Sequence, residues 1–326
     1  MKLARHPRDL VDVSGPIGLA AGFFDGLHCG HQAVLQATRN WALARGGTPW
    51  VMTFDIHPAK IIQPADAPPL ITSTRHKLAL LERTGMAGCL LLPFNRIRAQ
   101  QEPEAFLDWL FSQAPGIRAI FTGENWRFGR QGRGDLSLLR NFAKPRQILV
   151  KTIRPKIIGG APISSTRIRA AVRDGDLTLA AHLLGRPFSL MATVGGGLKI
   201  GRKLGFPTAN LTPDNEVRPP FGVYAVHAMA EGCPFEGVLN YGRRPTLGTP
   251  SSPLMELHLL DTRLHLYRRT IEVFWGPRLR DERTFPSLMA LARQIADDIK
   301  MARRALRQPS EKKLWKKTLQ DLGIRL

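Results

Sequence analysis

The chain has 326 residues, 43% of them hydrophobic and 22% charged, the texture of a globular protein long enough for two domains with separate cores. It holds no run of about 18 apolar residues, which excludes a spanning helix, and Cys29, Cys89 and Cys233 are too few and too scattered for a disulfide framework or a zinc site. The net charge of +21 points to polyanions, yet nine Lys/Arg against two Asp/Glu fall within residues 300–326, so a third of it sits in one C-terminal segment; no basic block or nucleic-acid motif marks the rest.

The first nine residues lack the apolar core of a signal peptide. The expectation is a cytoplasmic protein with no membrane partner and no obligatory nucleic acid. The sequence leaves a weak or transient homo-oligomer open.

Between residues 16 and 153, apolar runs at 17–22, 49–54, 88–93, 117–122 and 148–153 alternate with helical patterns at 31–45, 74–84, 104–112 and 135–142. Strands separated by crossover helices predict a parallel, doubly wound, Rossmann-like sheet. Such sheets bind ligands beyond the carboxyl ends of their strands, where the strand order reverses. The first strand runs into Gly22-Phe23-Phe24-Asp25-Gly26-Leu27-His28-Cys29-Gly30-His31.

Histidines three apart at a helix start share one face. The first turn carries unpaired N–H groups and the positive end of the helix dipole, so it attracts phosphate, and glycines let a polyphosphate approach the backbone. Gly22, Phe24, His28 and His31 are therefore the first set of ATP-phosphate candidates. The chemistry this suits is attack on a nucleoside triphosphate, with imidazoles holding the phosphates as charge moves onto pyrophosphate. Asp25 is expected to brace the turn.

A loop at 159–162 precedes Ile163-Ser164-Ser165-Thr166-Arg167-Ile168-Arg169, where hydroxyl residues start a helix running to about residue 173; Asp174-Gly175-Asp176 breaks it before a helix at 177–184. Hydroxyls with arginines at a helix N-terminus make a second phosphate site, the partner needed on the far side of a triphosphate. Gly185-Arg186-Pro187 marks a boundary. Beyond it, short β-rich runs at 222–229, 237–240, 255–260 and 270–275 predict a small antiparallel barrel. A helix at 287–305 closes it, with Leu288, Leu291, Ile295 and Ile299 on one stripe. Residues 306–326 read as a basic amphipathic extension, a loosely packed helix with no assigned role.

These motifs carry a resemblance. The first half is similar to the nucleotidyltransferase superfamily through residues 22–31 and 163–169. The second resembles riboflavin kinases through Gly201-Arg202-Lys203-Leu204-Gly205-Phe206-Pro207-Thr208-Ala209-Asn210, Gly222-Val223-Tyr224-Ala225, Asn240-Tyr241-Gly242-Arg243-Arg244-Pro245-Thr246, Glu256-Leu257-His258-Leu259-Leu260-Asp261 and Leu279-Arg280-Asp281-Glu282. In that order, over about residues 15 to 305, the chain resembles the bacterial bifunctional riboflavin kinase/FMN adenylyltransferases.

The resemblance implies an adenylyltransferase domain at 1–185, a kinase domain at 186–305 and a basic extension at 306–326. It implies phosphorylation of riboflavin to FMN, then adenylylation of FMN to FAD, each with ATP and Mg2+. His28, His31, Ser164, Ser165, Thr166 and Arg169 match the motifs that hold ATP phosphates for adenylyl transfer, Arg169 offsetting transition-state charge. Phe54, Asn125 and Phe128 fall in loops placed at the flavin, although the aromatics can equally be core. Thr208 and Asn210 match the ligands of magnesium and ATP, Gly201 and Lys203 belong to the glycine-rich phosphate loop, Glu256 stands at the catalytic base, and Arg280 at the flavin side. Other readings remain beside this one: a single live activity, a nucleotidyltransferase of another substrate class, or an RNA-associated accessory role for the basic tail.

Overall fold

The computed structural model describes residues 1–196, 204–243, 253–262 and 264–324. The chain divides into two compact units, Met1–Ser165 and Thr166–Leu326.

The first unit is built on six parallel strands, β1 (Lys2–Ala4), β2 (Ile17–Ala21), β3 (Thr48–Phe54), β4 (Gly88–Leu92), β5 (Ile117–Gly123) and β6 (Leu149–Ile153), in the order β1-β4-β3-β2-β5-β6. Every residue of β2 and β4 is buried, as expected of strands covered on both faces. One face carries Leu19, Trp50, Met52, Leu90, Phe106, Leu110 and Ile120; the other carries Phe24, Val34, Leu35, Val51, Leu80, Leu81 and Phe121. From β2 the chain steps outward through β3 to β4, then returns to the other side of β2 for β5 and β6. The strand order therefore reverses at β2, whose C-terminal loop is the 22–31 turn. The helix after it spans Cys29–Leu43, starting two residues before the expected position. β1 was not anticipated.

The expected loop at 159–162 is the turn of a small hairpin, β7 (Ile157–Ile158) with β8 (Ala161–Pro162). Gly159 and Gly160 both have positive φ, 59° and 73°, which a two-residue hairpin turn requires.

The helix Ser165–Arg173 begins at the division between the units, the helix Leu177–Leu184 follows, and the second unit is built on a closed antiparallel barrel. Its strands are β9 (Ser189–Gly195), β10 (Ala209–Pro213), β11 (Gly222–Ala230), β12 (Cys233–Arg243), β13 (Pro253–Leu259) and β14 (Thr270–Arg280), in the order β10-β13-β12-β11-β14-β9, with β9 pairing β10 to close it. The four expected strands are β11 to β14; β9 and β10 were not anticipated.

The Leu288–Leu306 helix packs on β11 and β12 through Ile299, Ala302 and Leu306, against Val223, Ala225 and Val238. The expected stripe is thus corrected at its start: Leu288 is 62% exposed, and the packed face is displaced toward the helix's C-terminal half. The tail forms the expected helix, but its expected loose packing is corrected. Residues Pro309–Asp321 form a helix whose Thr318 and Leu319 are buried, and Trp315 stacks on His227 of β11 at 4.0 Å and 3°.

Candidate active sites

At the end of β2 the backbone is tightly coiled. Phe24 and Leu27 have φ of 58° and 43°, and Gly26 has φ of 78°. Asp25 is buried beneath this turn, and its carboxylate accepts hydrogen bonds from the N–H groups of Ile71 and Thr72 and from the Thr72 hydroxyl at 3.0–3.2 Å. Asp25 is a brace, as expected. Its own carbonyl accepts the Ser165 hydroxyl at 3.0 Å, which ties the start of the second phosphate motif to the first.

His28 is the N-cap of the Cys29–Leu43 helix, and its Nδ1 accepts the His31 N–H at 3.2 Å. With Nδ1 accepting, neutral His28 carries its proton on Nε2, a donor suited to a phosphate oxygen. The His28 and His31 rings stack at 3.6 Å and 15°. A Cβ on Gly30 would come within 3.1 Å of the His28 ring, so glycine is what lets the imidazole fold back over the turn. Burial, with His28 and Lys77 nearby, holds the His31 pKa well below its ordinary value, and His31 Nδ1 is buried without a hydrogen-bond partner. Phe24 packs edge-on to His31 at 5.2 Å, in the core; any phosphate contact from Phe24 comes from its backbone. Gly22 sits against the same ring, where a Cβ would meet it at 3.1 Å.

The loops following β3 and β5 hold the flavin candidates. Phe54 ends β3 half-buried, edge-on to Phe94 at 4.9 Å. Asn125 is exposed in the turn after β5. Phe128 is 7% exposed and stacks on Trp126 at 4.6 Å; of the two roles weighed for it, the side chain occupies core. Ser165, Thr166 and Arg169 lie on the Ser165–Arg173 helix, with Ser164 immediately before it, and Arg169 is buried.

Sequence reasoning missed Lys77. It is 2% exposed, and its ammonium donates to the carbonyls of Phe23 and Phe54 and to Thr53 Oγ1. A positional signal existed, because Lys77 lies three and four residues before the buried Leu80 and Leu81, on the same helix face.

In the barrel, cross-strand register places Glu256 of β13 directly opposite Asn210 of β10 on one side and Asn240 of β12 on the other. Paired residues in antiparallel strands project to the same face. Met255 and Leu257 are buried inside the barrel, so Glu256 and both asparagines occupy the outer face, the one Val238 shares with the closing helix. Beside this row opens a cavity of about 800 Å³ lined by Thr208, Asn210, Gly195, Leu257, His265 and Tyr267 among others. His258 Nδ1 lies 2.8 Å from the Pro207 carbonyl, anchoring the segment that carries Thr208 to β13. Gly201 and Lys203 lie outside the described residues. Arg280 forms a two-pronged ion pair with buried Asp298 of the closing helix, both contacts at 2.8 Å.

A histidine-bearing turn at the switch point of a parallel sheet, followed by a barrel with a carboxylate near a largely apolar cavity, is the layout of a two-unit phosphate-transfer enzyme. Family models match in that order: FAD synthetase over residues 13–167 and riboflavin kinase over residues 184–306. The bifunctional riboflavin kinase/FMN adenylyltransferase of Escherichia coli (strain K12) is 36% identical over 286 residues, 87% of this chain and 91% of that protein. Its namesake in Haemophilus influenzae is 33% identical over 93% of this chain and 98% of that one, and that of Bacillus subtilis is 33% identical over 90% and 94%. The chain belongs to the family of bifunctional riboflavin kinase/FMN adenylyltransferases. A crystal structure described as a macrolide-efflux protein from Streptococcus pneumoniae has a similar fold, with a TM-score of 0.78 and 27% identity over 92% of this chain and 98% of that one. Among the described residues no helix is long and apolar enough to cross a membrane.

Proposed function

We propose that this chain performs both reactions of its family. In the barrel, the ribityl 5′-hydroxyl of riboflavin attacks the γ-phosphorus of ATP, giving FMN and ADP. In the parallel-sheet unit, the FMN phosphate attacks the α-phosphorus of a second ATP, giving FAD and pyrophosphate. The observation that carries this reading is the presence, in one chain, of both family segments, FAD synthetase over residues 13–167 and riboflavin kinase over residues 184–306. We assign residues 1–185 to adenylyl transfer, 186–305 to the kinase and 306–326 to a structural extension, in a cytoplasmic enzyme.

For adenylyl transfer, His28 and His31 hold the polyphosphate. Ser164, Ser165 and Thr166 supply hydroxyl donors, and the Arg169 guanidinium offsets the charge that grows on the leaving pyrophosphate. Phe54 and Asn125 border the flavin, with Phe128 supporting that wall from the core.

For phosphoryl transfer, Glu256 accepts the proton of the attacking hydroxyl. The Thr208 hydroxyl and the Asn210 amide oxygen hold magnesium and ATP phosphates, with Gly201 and Lys203 in the phosphate loop. The donor set fits such a cation: both side chains line one cavity and offer the oxygen ligands a hard ion takes. When bound, magnesium neutralises phosphate charge. Arg280 acts at the flavin side through the geometry that Asp298 imposes on it.

A chromatographic assay of riboflavin, ATP and magnesium tests the two-site assignment. Wild type should yield FMN and then FAD. His28→Ala should stop at FMN, and Glu256→Ala should leave riboflavin untouched yet convert supplied FMN. Loss of both activities in either variant would refute the separation of sites.

A further inference from the structure

Lys77 is buried on the Thr74–Glu82 helix and forms no ion pair among the described residues. Its Nζ donates to the Phe54 carbonyl at 2.8 Å and to the Phe23 carbonyl and Thr53 Oγ1 at 3.2 Å, and stands 4.0 Å from the centre of the Phe23 ring. Thr53 Oγ1 in turn donates to the Phe23 carbonyl at 2.9 Å. Phe23 belongs to the turn that presents His28 and His31, while Thr53 and Phe54 end the neighbouring strand. One ammonium thus fastens together the two chain segments that flank the nucleotide site.

Its three partners are neutral oxygens. A buried cation hydrogen-bonded only to neutral acceptors is costly even with the Asp25 and Asp55 carboxylates acting on it through space, so its position beside the 22–31 turn calls for an explanation.

We propose that Lys77 is a positioning residue for adenylyl transfer, locking the 22–31 turn to the end of β3 and drawing further counter-charge from the ATP polyphosphate. This rests on the placement of ATP at His28 and His31.

The electrostatic surroundings agree with that role. Burial brings the Lys77 pKa down to about 8, against the opposing pull of the Asp25 and Asp55 carboxylates. Lys77 and His28 act on His31 in the same sense as burial, disfavouring its charged form. A bound polyanion favours the ammonium, so by linkage ATP binds more tightly to the protonated enzyme. Affinity for ATP at this site should then decline as pH rises through about 8.

The test measures FAD formation from FMN and FMN formation from riboflavin on the full-length protein, from pH 7 to 9.5, for wild type, Lys77→Met, Lys77→Arg and His28→Ala. In wild type, kcat/KM for ATP in FAD formation should fall at alkaline pH. Lys77→Met should raise KM for ATP about tenfold, the scale of one lost charge interaction, and abolish that pH-dependent fall, with riboflavin phosphorylation intact as the internal control of folding. Lys77→Arg, whose guanidinium does not titrate in this range, should keep a low KM while losing the alkaline fall. The proposal is overturned if Lys77→Met retains the wild-type KM and pH profile, if both activities drop in proportion, or if Lys77→Arg retains the alkaline fall. A His28→Ala variant that still makes FAD would instead overturn the placement of ATP.

Discussion

The imidazole of His28 receives the His31 backbone N–H at Nδ1, 3.2 Å away, while lying 3.6 Å above the His31 ring. One side chain therefore caps the helix, and the proposed function gives it a second role, contact with the nucleotide. The two roles separate by mutation. His28→Ala removes both and should cost about 1 kcal/mol of stability from the cap, with FAD formation reduced about 10²–10³-fold, the usual loss for one transition-state donor. Asparagine is a good N-cap, so His28→Asn should recover the stability and none of the activity. Thermal unfolding and FMN-to-FAD turnover, measured on the same preparations, check this.

Asp25 organises the turn from below, with three donors from Ile71 and Thr72 converging on its buried carboxylate. Asp25→Ala strands those donors and should destabilise the protein by about 2–4 kcal/mol, since each unsatisfied buried group costs about 1–3 kcal/mol. Denaturant unfolding should show a lower midpoint, accompanied by weaker ATP use in FAD formation and unchanged riboflavin phosphorylation.

How much of this was legible in the sequence follows from how each element is stabilised. Strands β2 to β6 read out directly because several are buried on both faces, and Ile17–Ala21 and Gly88–Leu92 are unbroken apolar or small runs. β1 is three residues, two of them exposed, too short to carry a period. β10 was hidden by its length and composition: it is five residues long, and Asn210 and Pro213 are of types depleted in strands. Lys77 was overlooked because a lysine ordinarily reads as solvated. The helix at Pro309–Asp321 was expected, but its four lysines masked the docking through Trp315, Thr318 and Leu319.

Glu256 is flanked on both sides by asparagines, Asn210 and Asn240, through the barrel ladder. Glutamine in its place preserves volume and hydrogen-bonding reach but cannot accept the substrate proton. Glu256→Gln should reduce the kcat of FMN formation about 10²–10⁴-fold, the contribution of a general base, and leave KM for ATP and conversion of FMN to FAD near wild type. A raised KM with intact kcat would place Glu256 in binding rather than proton transfer.

The stack of Trp315 on His227, 4.0 Å apart and 3° from parallel, with Phe274 edge-on to Trp315 at 5.2 Å, makes docking of the last helix sensitive to pH. Burial brings the His227 pKa from 6.5 down to about 4. The unfolded chain therefore takes up this proton before the folded one does, so the contribution is intact above pH 6.5 and is lost progressively as pH falls toward 4. The loss is on the order of 3 kcal/mol at most, at 1.36 kcal/mol per unit of pKa difference. His227→Phe keeps an aromatic ring against Trp315 and cannot charge. It should match or exceed wild-type stability at neutral pH, because His227 Nε2 is buried without a partner and its removal relieves that cost. Its melting temperature should also fall less steeply than wild type between pH 6.5 and 4.5. Deleting residues 309–326 should expose His227, lower the melting temperature at neutral pH, and flatten the same part of the pH profile while riboflavin phosphorylation persists. A truncated chain that melts like wild type across this range would show that the helix does not hold the barrel.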